Sequence, residues 1–194
     1  MIIGIIGGTG CGKTTALAAI KKLGGKVLDC DAIYHRLLET DAEMRSAIES
    51  AFPGVVENGA LNRKKLGARV FGDPDALQTL NAITHTRVTQ VILKELEEKC
   101  ELTAIDAIAL YESGLAALCD VTVAITAPED VRIQRIMARD NISYDYAKSR
   151  IDAQIPQEEF IRRCDYALHN DTDESTFHNK CLAFFRELAI MKLT

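Results

Sequence analysis

The fold of this chain is decided by the stretch Gly7-Gly8-Thr9-Gly10-Cys11-Gly12-Lys13-Thr14. It matches the phosphate-binding pattern of Gly, four residues, Gly, Lys and then Ser or Thr. Glycines let the backbone curl so that its N–H groups point at phosphate oxygens, an approach that bulky side chains would block. Lys13 supplies a mobile positive charge for the outer phosphates, and the Thr14 hydroxyl is a ligand for Mg²⁺. The stretch therefore predicts a phosphate-binding loop.

The segments on either side of this loop support the same interpretation. Residues 2–6, Ile-Ile-Gly-Ile-Ile, form an apolar run that predicts a buried strand. Residues 14–20 favour a helix, whose N-terminal dipole attracts an anion. A chance glycine-rich turn would lack this succession of strand, loop and helix. We therefore expect a site for a nucleoside triphosphate, with ATP and Mg²⁺ as the cofactors.

Composition and charge narrow the class of protein further. A chain of 194 residues with 47% hydrophobic residues predicts a single domain, residues 1–194. The net charge of −5 argues against a general nucleic-acid or membrane-surface binder. No apolar stretch approaches the roughly 18 residues that span a bilayer, and the N-terminus does not resemble a signal peptide. The six cysteines include no Cys-x-x-Cys pair, so we expect a reduced, cytoplasmic protein without a cysteine metal site.

Hydrophobic patterns along the chain predict alternating strands and helices. After residues 2–6, strands are expected at 26–28, 102–108, 121–125 and 166–169. Helices are expected at 14–20, 32–52, 61–71, 73–99 (with a possible break at 81–86), 128–139, 143–154, 156–163 and 173–192. This order predicts an α/β three-layer sandwich with a five-stranded parallel sheet. Residues 32–101 exceed a minimal crossover and predict a helical subdomain, and residues 139–163 a lid.

Acidic residues near the predicted strand ends are candidates for chemistry. Asp31 has the position to accept a proton from an attacking hydroxyl or to hold the water shell of Mg²⁺. An equally good interpretation makes Asp31 the N-cap of a helix beginning at Ala32. Asp106 is a candidate second acidic partner of Mg²⁺. Glu112, just beyond it, is a weaker candidate for orienting a substrate or a metal-bound water.

Arginines follow the predicted fourth strand. Arg132, Arg135 and Arg139 share one helix face, and Arg150, Arg162 and Arg163 come after them. Arginines so placed would stabilise the charge that spreads over a transferring phosphoryl group, whereas the alternative is a solvated face paired with nearby carboxylates. For the group as a whole, function is favoured. His85 by itself indicates packing more than catalysis, and Cys11 is expected as a small filler in the loop, where amide dipoles favour a thiolate.

Over residues 2–170 the sequence is similar to the dephospho-coenzyme A kinase family. The matching segments are Gly7–Thr14, Asp29–Ile33, Leu61–Leu66, Val70-Phe71, Leu80-Asn81, His85, Asp106–Glu112, Gln134, Arg139-Asp140 and Gln154. The glycine loop alone is shared by many kinases and ATPases, whereas the other segments are far more specific. Thr86 and Ile108 stand where the family has proline, and Ala109-Leu110-Tyr111-Glu112 replaces its Leu-Leu-Phe-Glu.

The resemblance implies transfer of the ATP γ-phosphoryl group to the ribose 3′-hydroxyl of dephospho-coenzyme A. Asp31 becomes the implied general base, with Lys13 and Arg139 as the other catalytic residues and Thr14 and Asp31 as the metal-binding ones. The implied ATP-binding residues are Gly8, Thr9, Gly10, Cys11, Gly12, Lys13, Thr14, Thr15 and Asn170, the last near the adenine. The implied acceptor-binding residues are Asp31, Arg63, His85, Asp106 and Glu112. Closure of the lid would exclude water, which otherwise competes as the acceptor.

Two other functions remain as alternatives at this point. A nucleoside or nucleotide monophosphate kinase shares the loop, the helical insert and the basic lid. A regulatory ATPase that controls a partner would hydrolyse ATP slowly without any small-molecule acceptor. We expect a monomer or a weak homo-oligomer whose partner is a small-molecule substrate.

Overall fold

A parallel sheet forms the centre of one of two compact units into which the chain divides. The structure, a computed structural model, describes residues 1–191. The first unit contains Met1–Leu28 and the chain from Lys99 onward, and the second is Asp29–Glu98. Over the described residues, no helix is both long enough and apolar enough to cross a membrane.

The strands confirm the predicted α/β fold with a five-stranded parallel sheet. In chain order they are β1 (Ile2–Ile6), β2 (Lys26–Asp29), β3 (Val56–Glu57), β4 (Ala60–Leu61), β5 (Thr103–Asp106), β6 (Val121–Thr126) and β7 (Tyr166–His169). The large sheet has the order β2-β5-β1-β6-β7, so β1 lies in its middle. Strand β1 pairs in parallel with β5 and with β6, and β6 pairs in parallel with β7. The predicted strand 102–108 is shorter in the structure and ends at Asp106.

The helices largely follow the predicted pattern. They are α1 (Lys13–Lys22), α2 (Cys30–Thr40), α3 (Ala42–Ala51), α4 (Arg63–Val70), α5 (Pro74–Glu97), α6 (Glu129–Asp140), α7 (Tyr144–Asp152), α8 (Gln157–Arg163) and α9 (Glu174–Met191). A short 3₁₀ turn at Leu115–Leu118 was not predicted. Pro128 is the N-cap of α6 and not its first helical residue. Lys192, the predicted end of the last helix, lies outside the described residues.

The core of the first unit packs the strand before the glycine loop and the helix after it. Ile3 and Ile5 of β1 are fully buried, as are Phe177 and Phe185 of α9, which packs with α1. Full burial of each such side chain contributes about 1.5–3 kcal/mol. A Cβ at Gly4 of β1 would come within 2.7 Å of a Leu110 methyl group, so the buried Leu110 side chain would have to move. The loop therefore begins and ends on firmly packed elements.

The second unit corrects two sequence predictions. The predicted helix 32–52 is two helices, because Asp41 between them has extended backbone angles and caps α3 by accepting a 2.9 Å bond from Met44 N–H. The Arg87 guanidinium lies 2.7 Å from the same carboxylate. In contrast, the predicted break at 81–86 is absent, and α5 continues through it. Asn58-Gly59 forms the tip of the β3–β4 hairpin, with positive φ at both residues.

Candidate phosphate-binding site

The glycine loop joins the carboxyl end of β1 to the N-terminus of α1. Gly10 and Gly12 have φ values of +77° and +99°, which side-chain-bearing residues rarely adopt. Gly12 is the N-cap of α1 and makes no side-chain hydrogen bond, so an anion can take the place of a capping side chain. Thr14, in the first turn of α1, is exposed. The local backbone thus has the form that the sequence motif predicts.

Lys13 and Asp106 meet beside this loop. Asp106 ends β5, and the parallel register places it opposite Ile5, directly before the loop. The Lys13 ammonium lies 3.0 Å from the Asp106 carboxylate, and the two side chains are only 20% and 14% exposed. The structure therefore brings together a predicted phosphate-binding lysine and a predicted acidic residue.

Side chains beneath the loop bind three successive carbonyl oxygens. The bonds are Arg132 Nε to Thr9 O (2.9 Å), Arg135 Nη1 to Gly10 O (3.4 Å) and Asn170 Nδ2 to Cys11 O (3.0 Å). In a planar trans peptide, the carbonyl and the next N–H point in opposite directions. The bonds to Thr9 O and Cys11 O therefore turn the N–H groups of Gly10 and Gly12 away from these side chains. This is the arrangement that an anion-binding loop needs.

Asn170 lies directly beneath the glycine loop, and its predicted position near the adenine stays a prediction. Its side chain is 3% exposed, and both ends of its amide are engaged beneath the loop. Nδ2 donates to Cys11 O, while Oδ1 accepts a 3.1 Å bond from Arg135. A Cβ on Gly12 would lie 2.1 Å from Asn170 Nδ2. The structure thus gives this side chain a supporting position under the loop.

The arginines of α6 divide into two kinds. Arg132 is 4% exposed and Arg135 is half-buried, and both bind loop carbonyls. Arg139 is more exposed, makes a two-bond contact with Asp140 at 2.7 and 2.9 Å, and has Nη2 3.5 Å from Thr9 Oγ1. The Arg139 and Arg150 guanidinium groups hold the pKa of Asp140 well below its usual range. The alternative interpretation, pairing with nearby carboxylates, therefore describes Arg139 but not Arg132 or Arg135.

The expected thiolate character of Cys11 is wrong. Cys11 is 1% exposed, and burial raises the pKa of its thiol despite the opposing charge of Lys13. Its role as a small filler fits the structure, since a Cβ on Gly7 would come within 2.8 Å of Cys11 Sγ. Desolvation outweighs the loop dipoles here because the sulfur lies in the core and not on the ligand side.

Glu112 lies in an ion-pair cluster at the end of α8. Its carboxylate pairs at 2.7 Å with Arg163, which also pairs at 2.7 Å with Glu159. Hydrogen bonds from Arg162 and Arg163 lower the pKa of Glu159 to about 2. Next to Glu112, the Tyr111 hydroxyl donates to Arg163 O at 2.5 Å. The segment after β5 is thereby fixed to the end of α8.

Three predicted site residues belong to the second unit. Asp31 is in the first turn of α2, but the N-cap of that helix is Asp29, which accepts a 2.9 Å bond from Ala32 N–H. The interpretation of Asp31 as a helix cap is therefore wrong. Arg63 begins α4 and pairs with Glu39 at 3.3 Å, and His85 is half-buried on α5. The predicted catalytic and acceptor-binding roles of these three residues stay predictions.

The donors beside the loop suit Mg²⁺ better than a transition metal. Within residues 1–191, no group of three or more His, Cys, Asp or Glu side chains is placed to hold a metal ion. Mg²⁺ keeps several waters and needs only one or two protein oxygens besides substrate phosphates. The Thr14 hydroxyl and the Asp106 carboxylate are oxygen donors of that kind, on the loop helix and the adjacent strand. The residues present therefore fit a magnesium–nucleotide complex.

The central strand of the parallel sheet leads through the glycine loop into a helix, and a lysine stands at the start of that helix. This arrangement defines a P-loop kinase fold. The family model for dephospho-CoA kinase matches residues 1–175. A dephospho-CoA kinase from Anaeromyxobacter dehalogenans is 38% identical over 175 residues, covering 87% of this chain and 83% of that protein. This chain belongs to the dephospho-CoA kinase family.

Solved structures agree with this assignment. A structure titled TT1252 from Thermus thermophilus is 32% identical, with a TM-score of 0.81 over 97% of both chains. A dephospho-CoA kinase from Campylobacter jejuni is 26% identical, with a TM-score of 0.71 over 98% of both chains. The resemblance noted in the sequence is confirmed by these comparisons.

Proposed function

We propose that this protein transfers the γ-phosphoryl group of ATP to the ribose 3′-hydroxyl of dephospho-coenzyme A, giving coenzyme A and ADP. Membership of the dephospho-CoA kinase family carries this proposal. It is supported by a glycine loop with positive φ at Gly10 and Gly12 and by Lys13 at the start of α1. The cytoplasm is the compartment we propose, since all six cysteines are free thiols.

Within this reaction, loop N–H groups and Lys13 bind the outer phosphates of ATP. The Asp106 carboxylate lies 3.0 Å from the Lys13 ammonium and so holds the ammonium at the loop. A phosphate oxygen of ATP would then share the ammonium with Asp106. Thr14 and Asp106 would hold Mg²⁺, together with Asp31 as the sequence implies. When bound, Mg²⁺ neutralises the charge that develops on the β- and γ-phosphates. Arg139, in the predicted lid 139–163, stabilises the transferring phosphoryl group. Asp140 partly offsets the positive charge of Arg139.

The acceptor is proposed to bind through residues that the family resemblance implies, most of them in the second unit. Asp31 would accept the proton of the 3′-hydroxyl, because its carboxylate is not used as a helix cap. Arg63 and His85 would contact the acceptor, and Glu112 would do so while paired with Arg163. Closure of residues 139–163 would exclude water, which would otherwise hydrolyse ATP. We propose a monomer or weak homo-oligomer as the working form.

The experiment that tests this proposal is a coupled ADP-release assay with Mg-ATP. Dephospho-coenzyme A, AMP, CMP and no acceptor are compared, and the Lys13→Ala variant checks that the signal comes from this protein. We expect release that depends strictly on dephospho-coenzyme A, with almost none from Lys13→Ala. Faster release with AMP or CMP would identify a nucleotide kinase. Equal slow release in every tube would identify a regulatory ATPase.

A further inference from the structure

The most unusual charged group in the first unit is Arg132. Its side chain projects from α6 and is only 4% exposed, although arginine is rarely buried without an ionic partner. Its guanidinium donates to two neutral acceptors, Thr9 O at 2.9 Å and Gln154 Oε1 at 3.2 Å. Over residues 1–191, it makes no ion pair with a carboxylate. A buried positive charge therefore lies directly under the glycine loop.

Hydrogen bonds to neutral groups satisfy the donors of a guanidinium but do not balance its charge. Removing such a cation from water is unfavourable, and a nearby anion can offset this cost. The guanidinium remains protonated, since the ordinary pKa of arginine is above 12. Burial lowers the pKa of Arg132, and Cys11, Glu129 and Glu158 only partly oppose this shift. The protein itself thus supplies incomplete compensation.

Arg132 is also part of a closed hydrogen-bonded cluster with the loop. Gln154 Oε1 accepts from Thr9 N–H at 2.9 Å as well as from Arg132 Nη2. Thr9 is therefore held by its carbonyl and its N–H at the same time. A Cβ on Gly8 would lie 2.5 Å from Arg132 Nη2, which shows how closely the guanidinium approaches the loop backbone. Its distance from the loop is fixed, so its electrostatic effect on a loop-bound anion is fixed too.

We propose that Arg132 is a positioning residue whose buried positive charge strengthens the binding of nucleotide phosphates at the glycine loop. This inference rests on the proposed ATP site and adds a charged residue that does not touch the nucleotide. The bound triphosphate is the anion that completes the compensation of Arg132. The gain in affinity grows with the number of negative charges that the ligand brings to the loop.

The test measures the dissociation constants of ATP, ADP and adenosine for the wild type and three variants. Arg132→Gln removes the charge but keeps a donor for Thr9 O, and Arg132→Lys keeps the charge without the planar fork. Arg186→Gln on α9 is the control, because it makes the same charge change at an exposed position. We expect Arg132→Gln to weaken ATP about tenfold or more, ADP less and adenosine not at all. Arg132→Lys should restore most of the affinity for ATP, and Arg186→Gln should bind like the wild type.

A purely structural role for Arg132 gives a different result. ATP and ADP would then weaken by the same factor, or Arg132→Lys would be as weak as Arg132→Gln, and either outcome would overturn the proposal. If Arg132→Gln does not fold, Gln154→Glu supplies the same test by placing a carboxylate against the guanidinium. It should weaken ATP more than ADP, whereas the neutral Gln154→Met should not show this graded loss. Failure of the wild type to bind ATP would instead reject the ATP site itself.

Discussion

At the scale of single residues, the site depends on side chains that never face the ligand. Asn170, under the glycine loop, is 3% exposed, and Cys11, within the loop, is 1% exposed; a Cβ on Gly12 would clash with the first and a Cβ on Gly7 with the second. The sequence motif specifies the ligand side of the loop, namely glycines, a lysine and a threonine. It contains no information on the supporting side, because that side is built from α6 and the segment after β7.

The supporting side makes Gly12 irreplaceable. In Gly12→Ala, the new Cβ would meet Asn170 Nδ2 at 2.1 Å at a φ of +99°, so both strain and lost hydrogen bonds destabilise the loop. We expect a loss of about 3 kcal/mol in the free energy of unfolding, together with loss of ATP binding. Gly24→Ala is the matched control, since its φ is +81° but nothing lies within 4 Å of the new Cβ. Urea unfolding of both variants should show a loss of only about 1 kcal/mol for Gly24→Ala. Equal losses would contradict the contact with Asn170.

Asp31 offers a second test at this scale, because the structure separates it from the capping residue. Asp31→Asn should lower kcat about 100-fold or more, as expected for removal of a general base, with little change in ATP affinity or melting temperature. Asp29→Ala should instead lower stability by about 1 kcal/mol, because Asp29 caps α2. Steady-state kinetics and thermal unfolding of the two variants separate these effects. A kcat within about twofold of the wild type would reject Asp31 as the base.

At the scale of helices and strands, the sequence predicts which elements form and in what order better than it predicts their first and last residues. The five strands of the large sheet follow from apolar runs, which is why residues 2–6 and 121–125 were placed correctly. The division between α2 and α3 was missed because Asp41 has no turn partner such as glycine or proline beside it. Its extended conformation is supported by Arg87 on α5, 46 positions away in the chain. Local propensity cannot anticipate a contact at that separation.

The same reasoning applies to the site. The loop, Lys13 and Asp106 were predictable because parallel strands end at one edge of the sheet. The positions of Arg132 and Arg135 were predictable as one helix face, but their partners are backbone carbonyls, which carry no sequence signal. Asn170 came from the family resemblance, which implied a site residue but gave no sign that its amide donates to a loop carbonyl.

Tyr111 tests how the segment after β5 is connected to α8. Burial raises the pKa of its hydroxyl to about 12, above the value of about 10 for an unfolded tyrosine. A raised pKa stabilises the neutral, folded form, so this contribution is complete below pH about 10 and is lost as the pH rises through about 12. Tyr111→Phe should be less stable by about 1 kcal/mol at neutral pH, since it lacks the bond to Arg163 O.

The stability gap between the wild type and Tyr111→Phe should close in alkali as the hydroxyl ionises. Urea unfolding at a series of pH values measures the gap directly. Tyr146→Phe on α7 is the control, because Tyr146 is 58% exposed and should show little difference at any pH. A gap for Tyr111→Phe that stays constant up to pH about 12 would contradict a Tyr111 pKa that folding raises.

At the scale of the whole molecule, the proposed phosphate-binding residues lie in the first unit and most of the proposed acceptor-binding residues lie in the second. The glycine loop, Lys13 and Asp106 belong to the first unit, and Asp31, Arg63 and His85 belong to the second, Asp29–Glu98. Each unit has its own packed helices, so each can respond to its own ligand. The division predicts that the two ligands protect different parts of the backbone.

Hydrogen exchange with each ligand alone measures this division. A non-hydrolysable ATP analogue with Mg²⁺ should slow exchange in residues 7–15, where loop N–H groups would bind phosphates. Dephospho-coenzyme A alone should slow exchange within Asp29–Glu98, around Asp31, Arg63 and His85. Adenosine is the control for the nucleotide, because it lacks phosphates and should leave residues 7–15 unprotected. Protection by dephospho-coenzyme A that is confined to the first unit would reject the second unit as the acceptor site, while the ATP site would stand because its protection is measured separately.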